Sequence, residues 1–252
     1  KKYEQHALFT GIQKLSDAQF IHMLTQYGEG ISANFVKFLE TAVRQIKNEK
    51  AQDAMIRILR DEIPAVGPTH QMMRSKACEA IGISSEWLAS APLTSDTQKT
   101  IDAYYEILTN SKREWNNRDL GLTTFVRVIG ESLVGVAYRV FTQEIVRRFK
   151  VSEQDIEFYS FHWHHDEKDG TPFDGGEIGH TEYYDIVMQD LLKTEDDLTE
   201  AKKMGDIALE IREKFQNQFG EWLTDDKKAS YYADLPEHEQ NKWTTDCRGI
   251  FC

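Results

Sequence analysis

The chain has 252 residues and is acidic: 42 Asp and Glu face 30 Lys and Arg, giving a formal net charge of −12. This charge argues against nucleic acid or an anionic membrane surface as the main partner. The length suits one domain with a large core. No linker rich in Gly, Ser or Pro divides it, so we expect a single helical domain with a core over residues 6–220 and a polar tail over residues 224–252.

Cysteine usage and hydropathy bear on the compartment. The chain has three cysteines, Cys78, Cys247 and Cys252, and an odd count in a large chain indicates a reducing compartment without a disulfide framework. No apolar run approaches the roughly 20 residues that span a bilayer, and the first residues lack a signal-peptide pattern. The sequence predicts a cytoplasmic protein that does not enter a membrane.

Apolar residues recur at the helical period along nearly the whole chain, and alternating strand patterns are absent. Gly28 and Gly30 separate the first two helical runs, Pro64 ends the third, and residues 170–179 are irregular. In chain order the runs cover residues 18–27, 31–47, 51–63, 70–80, 97–110, 122–150, 156–168, 181–192 and 198–219. The pattern predicts an all-α bundle of about seven core helices.

The segment FYSFHWHHDEKDG, residues 158–170, is dense in side chains that bind metals. On a helix, His162, Asp166 and Asp169 share one face, because they are spaced i, i+4 and i+7. Aromatic neighbours indicate that the face is buried, where unpaired charge is costly. Bound metal cations explain this pattern better than a solvated helix surface does. His165 lies on another face and is expected in solvent or in a supporting role.

Glu131 is the one acid in an apolar stretch over residues 120–143, so its carboxylate is expected to be buried. Two readings remain open at this point. The carboxylate pairs with Arg127 or Arg139, one or two turns away on the same helix, or it binds a metal. Gly130, beside it, allows another group to approach the backbone closely.

Glu62 and His70 lie on either side of a proline break, eight residues apart, or roughly 80° on an ideal helix. Asp61 is an alternative to Glu62, but it falls about opposite His70 and is disfavoured. A Glu-x-x-His pattern ends at His180, of the kind that di-iron bundles carry in two copies. This chain has one copy, in a glycine-rich stretch, so it indicates coincidence or at most a donor from a loop.

The order of these residues resembles the haem-oxygenase-like di-iron oxidases and oxygenases. In that family a seven-helix bundle supplies Glu and His, then Glu, then His-x3-Asp-x2-His from successive helices. The stretches ILRDEIPAVGPTHQMMRSKACEAIGI and VIGESLVGVAYRVFTQEIVRRFKVSEQDIEFYSFHWHHDEKD carry the likeness, which covers roughly residues 6–195. Each motif is weak by itself, but the ordered set is fairly specific.

Carried over residue by residue, the resemblance implies a metal ligand set of Glu62, His70, Glu131, His162 and Asp166. The chain departs from the family at the last position, where Asp169 stands in place of His. Asp169 is still a suitable oxygen ligand for iron or manganese, and His165 or His180 are candidates to replace the missing imidazole. The branch that forms para-aminobenzoate has Tyr immediately before the central Glu. Gly130 stands at that position here, so that activity is not expected.

The resemblance implies activation of O2 at a site with two iron ions, or manganese, and oxidation of a small substrate such as an amino acid, amine or carboxylic acid. Arg74 and Arg127 lie one turn from His70 and Glu131. They are candidates to bind a substrate carboxylate, although ordinary ion pairs are the more common role. A homodimer is a common outcome for such bundles.

Two other classes of function stay open. One is a metal-free enzyme on the same bundle, similar to the thiaminase-like or pyrroloquinoline-quinone-forming enzymes. The thiaminase-like group uses a reactive cysteine, and Cys78, the one cysteine of the core, lacks an obvious activating base. The other class is a non-catalytic helical binding protein, which would leave Glu131 and His162 buried without a purpose.

Overall fold

A computed structural model describes residues 3–110, 112–166 and 180–223. In these residues the chain forms ten α-helices, linked by loops and short 3₁₀ turns, and no β-strand. The helices are α1 (Ala7–Gly11), α2 (residues 17–45), α3 (Glu49–Glu62), α4 (His70–Ala80), α5 (Ser85–Ser90), α6 (Ser95–Thr109), α7 (Arg118–Phe149), α8 (Glu157–Asp166), α9 (His180–Leu191) and α10 (Glu195–Gly220). The all-α prediction is confirmed, with a few more helices than the expected seven.

Two of the helices change from α to π hydrogen bonding near their middle. In α2 the π segment is Gln26–Ser32, and in α7 it is Val128–Ser132, which contains Glu131. The expected break at the glycines of α2 is therefore wrong, because the helix continues through them. A π segment adds a residue to one turn without ending the helix, and such segments are frequent at functional sites.

Side-chain caps determine where the site helices begin. The hydroxyl of Thr69 accepts a hydrogen bond from the amide of Met72, so α4 starts at His70. Asn117 caps α7 in the same way. Because α3 ends at Glu62, the expected partners Glu62 and His70 lie at the facing ends of two helices, as the proline break between the two predicted runs indicated.

Helix α7 is the centre of the bundle, where it packs against α2, α8, α9 and α10. It is long and apolar enough to cross a membrane, yet 72% of its most apolar window is buried inside the bundle. Phe125 and Phe141 of this helix are completely buried. Its apolar character is therefore accounted for by its burial in the core of the bundle.

Candidate metal centre

Three of the expected ligands lie together where the end of α3 and the start of α4 meet the middle of α8. One ligand atom each from Glu62, His70 and His162 lies within 4.8 Å of the other two. The rings of His70 and His162 pack edge to face with centroids 4.7 Å apart. All three side chains are buried. Two imidazoles and a carboxylate form a donor set that suits iron, manganese or zinc.

The backbone of α8 fixes the orientation of His162. Nδ1 of its ring lies 2.5 Å from the carbonyl oxygen of Phe158, one turn earlier. A carbonyl accepts hydrogen bonds but does not donate them, so Nδ1 carries the proton and Nε2 carries the lone pair. The ring of Phe158 also packs against the imidazole, with centroids 4.6 Å apart. Metal-binding histidines are usually oriented in this way.

Glu131 lies in the π segment of α7 and is 2% exposed. Its expected arginine partners bind elsewhere: Arg127 pairs with Asp185 at 2.7 Å, and Arg139 pairs with Glu4 at 3.4 Å. The group nearest to its carboxylate in the described ion pairs is His180, whose Nδ1 lies 3.4 Å from Oε2. The reading in which an arginine of the same helix neutralises Glu131 is therefore wrong.

His180 begins α9 rather than lying in a loop, and it reaches two carboxylates. Besides the contact with Glu131, its Nε2 lies 3.1 Å from Oδ2 of Asp61. From the sequence, Asp61 is disfavoured because it lies about opposite His70 on an ideal helix, and the Glu-x-x-His pattern indicates coincidence or at most a donor from a loop. These two residues are 119 positions apart and meet between α3 and α9. Helical periodicity cannot reveal such a contact, because it relates only residues of the same helix.

Several buried polar atoms around this cluster have no hydrogen-bond partner among the described residues. They are Oε1 of Glu131, the hydroxyl of Tyr184 and Nδ1 of His70. Nδ1 of His70 remains without a hydrogen bond although Oε2 of Glu62 is 3.0 Å away. Unsatisfied buried groups cost about 1–3 kcal/mol each. A cation bound between these carboxylates and imidazoles would satisfy several of them, so the residues present fit a metal.

A cavity of about 290 Å³ adjoins the cluster, and Glu62, His70, Glu131 and His162 all line it. Both π segments contribute to its wall, through Ile31 and Ser32 on one side and residues 129–131 on the other. Most of the remaining wall is apolar: Ala33, Phe35, Val36, Ile63, Val134, Tyr138 and Phe158. The cavity therefore has a polar metal-binding end and an apolar body suited to a small organic molecule.

The two candidate substrate arginines differ. Arg74 lines the cavity and is 2% exposed, and its guanidinium binds Glu29 at 2.7 Å. Burial would lower the pKa of Arg74, but the carboxylate of Glu29 outweighs it and raises that pKa. Arg127 is bound to Asp185 and is not part of the cavity wall. Both arginines thus make the ordinary ion pairs that were the more common alternative.

A family model described as iron-containing redox enzyme matches residues 30–206 of this sequence. The chain belongs to this family. The match covers the residues of the metal cluster and the cavity, and it confirms the family that the order of ligands suggested. Because the family is one of iron-containing redox enzymes, an oxidoreductase that uses iron is the class of protein to which this chain belongs.

Solved structures agree on the fold. A CADD-like protein of unknown function from Nostoc punctiforme superposes with a TM-score of 0.69 at 12% identity, over 88% of this chain and 90% of that one. A domain of unknown function with a heme oxygenase-like fold from Shewanella denitrificans gives 0.66 at 14% identity, over 94% and 90%. No curated protein matches the sequence. The haem-oxygenase-like bundle is confirmed.

Some expected site residues lie outside the part of the chain that the structure describes. Asp169 falls in the gap after α8, together with the first residue of the Glu-x-x-His pattern, and the side chains of His165 and Asp166 are likewise not described. Their roles as ligands stay predictions. The polar tail from residue 224 also lies outside the described residues.

Cys78 is buried on α4 and lies beside Tyr159, with its Sγ 3.9 Å from the phenol oxygen. Burial raises the pKa of the thiol to about 11, although the guanidinium of Arg74, one turn earlier, acts to lower it. A basic neighbour is thus present, contrary to the expectation from the sequence. A thiol that stays protonated is a poor nucleophile. Cys78, the one cysteine among the described residues, is therefore a poor candidate for a catalytic nucleophile.

Proposed function

We propose that this protein is a non-haem iron oxidase or oxygenase that uses O2 to oxidise a small organic molecule, with two metal ions as the complete centre. The single observation that carries the proposal is the buried group of Glu62, His70 and His162 at the end of an apolar cavity. Membership of the iron-containing redox enzyme family supports it. The protein is expected to be cytoplasmic, and a homodimer remains an expectation.

In this proposal Glu62, His70 and His162 hold the first ion, and Glu131 borders the same cavity. Ferrous iron, when bound, supplies the electrons that reduce O2. Nδ1 of His162 keeps its proton and donates it in a hydrogen bond to the carbonyl of Phe158, which leaves Nε2 available as a ligand. The negative charge of the carboxylates offsets the positive charge of the cation, and the imidazoles bind in their neutral form.

The chain's remaining residues shape the substrate's surroundings. Phe35, Val36 and Val134 form an apolar wall that excludes water next to the metal-binding residues. Tyr138, on the same wall, is held by Ser32 at 2.7 Å, and burial raises its pKa to about 12, so it stays a neutral phenol. A substrate with a compact apolar body therefore fits this cavity better than a highly charged one.

The test is iron content and oxygen uptake of protein purified without air. We expect the wild type to retain iron and to consume O2 when air is admitted. Glu62→Ala and His162→Ala should each lose the iron and the uptake, because each removes a ligand from a three-residue group. Two surface residues provide matched controls, Glu40→Ala and His164→Ala, since both side chains are partly exposed. Iron retained equally in all five proteins would contradict the proposal.

The metal-free, thiaminase-like alternative makes a different prediction. It requires a nucleophilic thiol, and the raised pKa of Cys78 argues against one at that position. A protein that contained no metal after anaerobic purification, took up none when iron was added, and lost activity on Cys78→Ser would favour that alternative.

A further inference from the structure

Helix α9 brings the imidazole of His180 close to the buried carboxylate of Glu131. His180 has no counterpart in the ligand set that the family resemblance implies. Nδ1 of His180 lies 3.4 Å from Oε2 of Glu131, and Nε2 lies 3.1 Å from Oδ2 of Asp61. His180 is 4% exposed, whereas the side chain of Asp61 is 57% exposed. The three groups form a line from the protein surface to the interior.

Asp61 determines which nitrogen of His180 faces Glu131 with a lone pair. An ionised carboxylate only accepts hydrogen bonds, so Nε2 carries the proton that Asp61 accepts. A metal-binding imidazole is neutral and has a single N–H, so with the proton on Nε2 the nitrogen left to bind a metal is Nδ1, which lies beside Oε2 of Glu131. Their separation of 3.4 Å also exceeds the usual N–H···O range of about 2.7–3.2 Å. Two electron-rich atoms in this arrangement are stabilised by a cation between them.

The second carboxylate oxygen of Glu131 points to the same conclusion. Oε1 is buried and has no hydrogen-bond partner among the described residues. Nitrogen and oxygen ligands bound to one transition-metal ion at about 2.0–2.2 Å lie roughly 3 Å from each other. The pair of Glu131 and His180 meets this spacing, and so does the pair of Glu62 and His70, at 3.0 Å.

We infer that Glu131 and His180 hold a second divalent transition-metal ion, with Asp61 orienting the imidazole from the solvent side. This inference rests on the proposed function, in which Glu62, His70 and His162 hold the first ion. An imidazole and a carboxylate suit Fe²⁺ or Mn²⁺, and a carboxylate that orients a metal-binding histidine is a common arrangement. His180 thereby supplies the imidazole that the family's pattern has where this chain has Asp169.

The experiment is an anaerobic titration of the metal-stripped full chain with Co²⁺, followed by visible absorption and by the bound metal per chain. We expect two ions for the wild type, bound in two steps, and one ion for His180→Ala with the tighter step unchanged. Asp61→Asn keeps both ligands but loses the orienting charge, so its second step should weaken about 10–100-fold. His164→Ala, at an exposed histidine, is the control and should match the wild type.

Circular dichroism shows whether each variant is folded. If His180→Ala is not, Asp61→Asn carries the test, because Asp61 is at the surface. Two ions in a folded His180→Ala variant, or an unchanged second step in Asp61→Asn, overturn the inference and make His180 an ion-pair partner between two carboxylates. A wild type that binds one ion also overturns it but leaves the first site intact. A wild type that binds none contradicts the proposed function itself.

Discussion

Hydrogen bonds to imidazole nitrogens decide what the individual residues of this site can do. The carbonyl of Phe158 holds one nitrogen of His162, and the carboxylate of Asp61 holds one nitrogen of His180. In the neutral form of each ring, the other nitrogen is the one that can bind a metal with its lone pair. Selection of the tautomer is therefore built into the protein before a metal binds.

Cys78 provides a residue-scale prediction that separates the iron enzyme from a thiol-dependent one. Because burial raises the pKa of this thiol to about 11, only about 0.1% is thiolate at pH 8, and reagents reach it slowly. We expect iodoacetamide to label Cys78 at least about 100-fold more slowly in the native protein than in urea, with the native rate rising as the pH increases toward 11. Mass spectrometry of the Cys78 peptide measures both rates. Rapid labelling of the native protein at pH 8 would contradict the assignment.

Single residues also show what the sequence could and could not reveal about the site. Glu131 and His162 stand out because they interrupt apolar or aromatic stretches, whereas Glu62 and His70 are a weak pair by themselves and follow from the ordered likeness to the family. Asp61 and His180 do not stand out, since one was judged by its angle on an ideal helix and the other by its glycine-rich neighbours. Their contact joins two helices that are distant in sequence, and periodicity relates only residues of the same helix.

At the scale of elements, both π segments contribute residues to the wall of the cavity. The extra residue in each π turn changes the direction of the side chains that follow it in α2 and α7. Neighbouring side chains stabilise the altered turns. Arg212 of α10, which is 1% exposed, donates a hydrogen bond of 2.5 Å to the carbonyl of Ile129. Helical periodicity identified both helices, but a π segment leaves no clear mark in composition, so the break expected in α2 was wrong.

Gly130 allows the two walls to meet closely. A Cβ at this position would overlap the ring of Phe35, which itself lines the cavity. We expect Gly130→Ala to lower the free energy of unfolding by about 1–3 kcal/mol, because the ring must move. Urea denaturation of the single and double variants measures this. In a chain that already carries Phe35→Ala, the further change Gly130→Ala should lower the free energy of unfolding only slightly.

Gly205 of α10 is the matched control, because nothing lies within 4 Å of a Cβ built there. Gly205→Ala should raise stability by about 0.5–1 kcal/mol through the better helix propensity of Ala. If Gly130→Ala is as harmless as Gly205→Ala, the close approach of Phe35 does not constrain this part of α7.

At the scale of the whole molecule, the described residues form a bundle in which an apolar helix carries the buried acid Glu131 through the centre. The fold followed from sequence because long helical periods and the absence of strand patterns leave few other architectures. The break between α3 and α4 also followed, from Pro64 and Gly67, but the number of helices did not, because caps and short loops determine it. Excess acidic charge over the whole chain is compatible with a site that gathers cations.

The measurement that tests the central claim most directly is anomalous diffraction at the iron edge from crystals loaded with Fe²⁺ without air. We predict an iron peak within bonding distance of Glu62, His70 and His162. Crystals of the Glu62→Ala variant, loaded in the same way, should have the same fold and lack this peak. An iron-loaded crystal with no peak among these three side chains, or with iron bound only at the protein surface, would contradict the account.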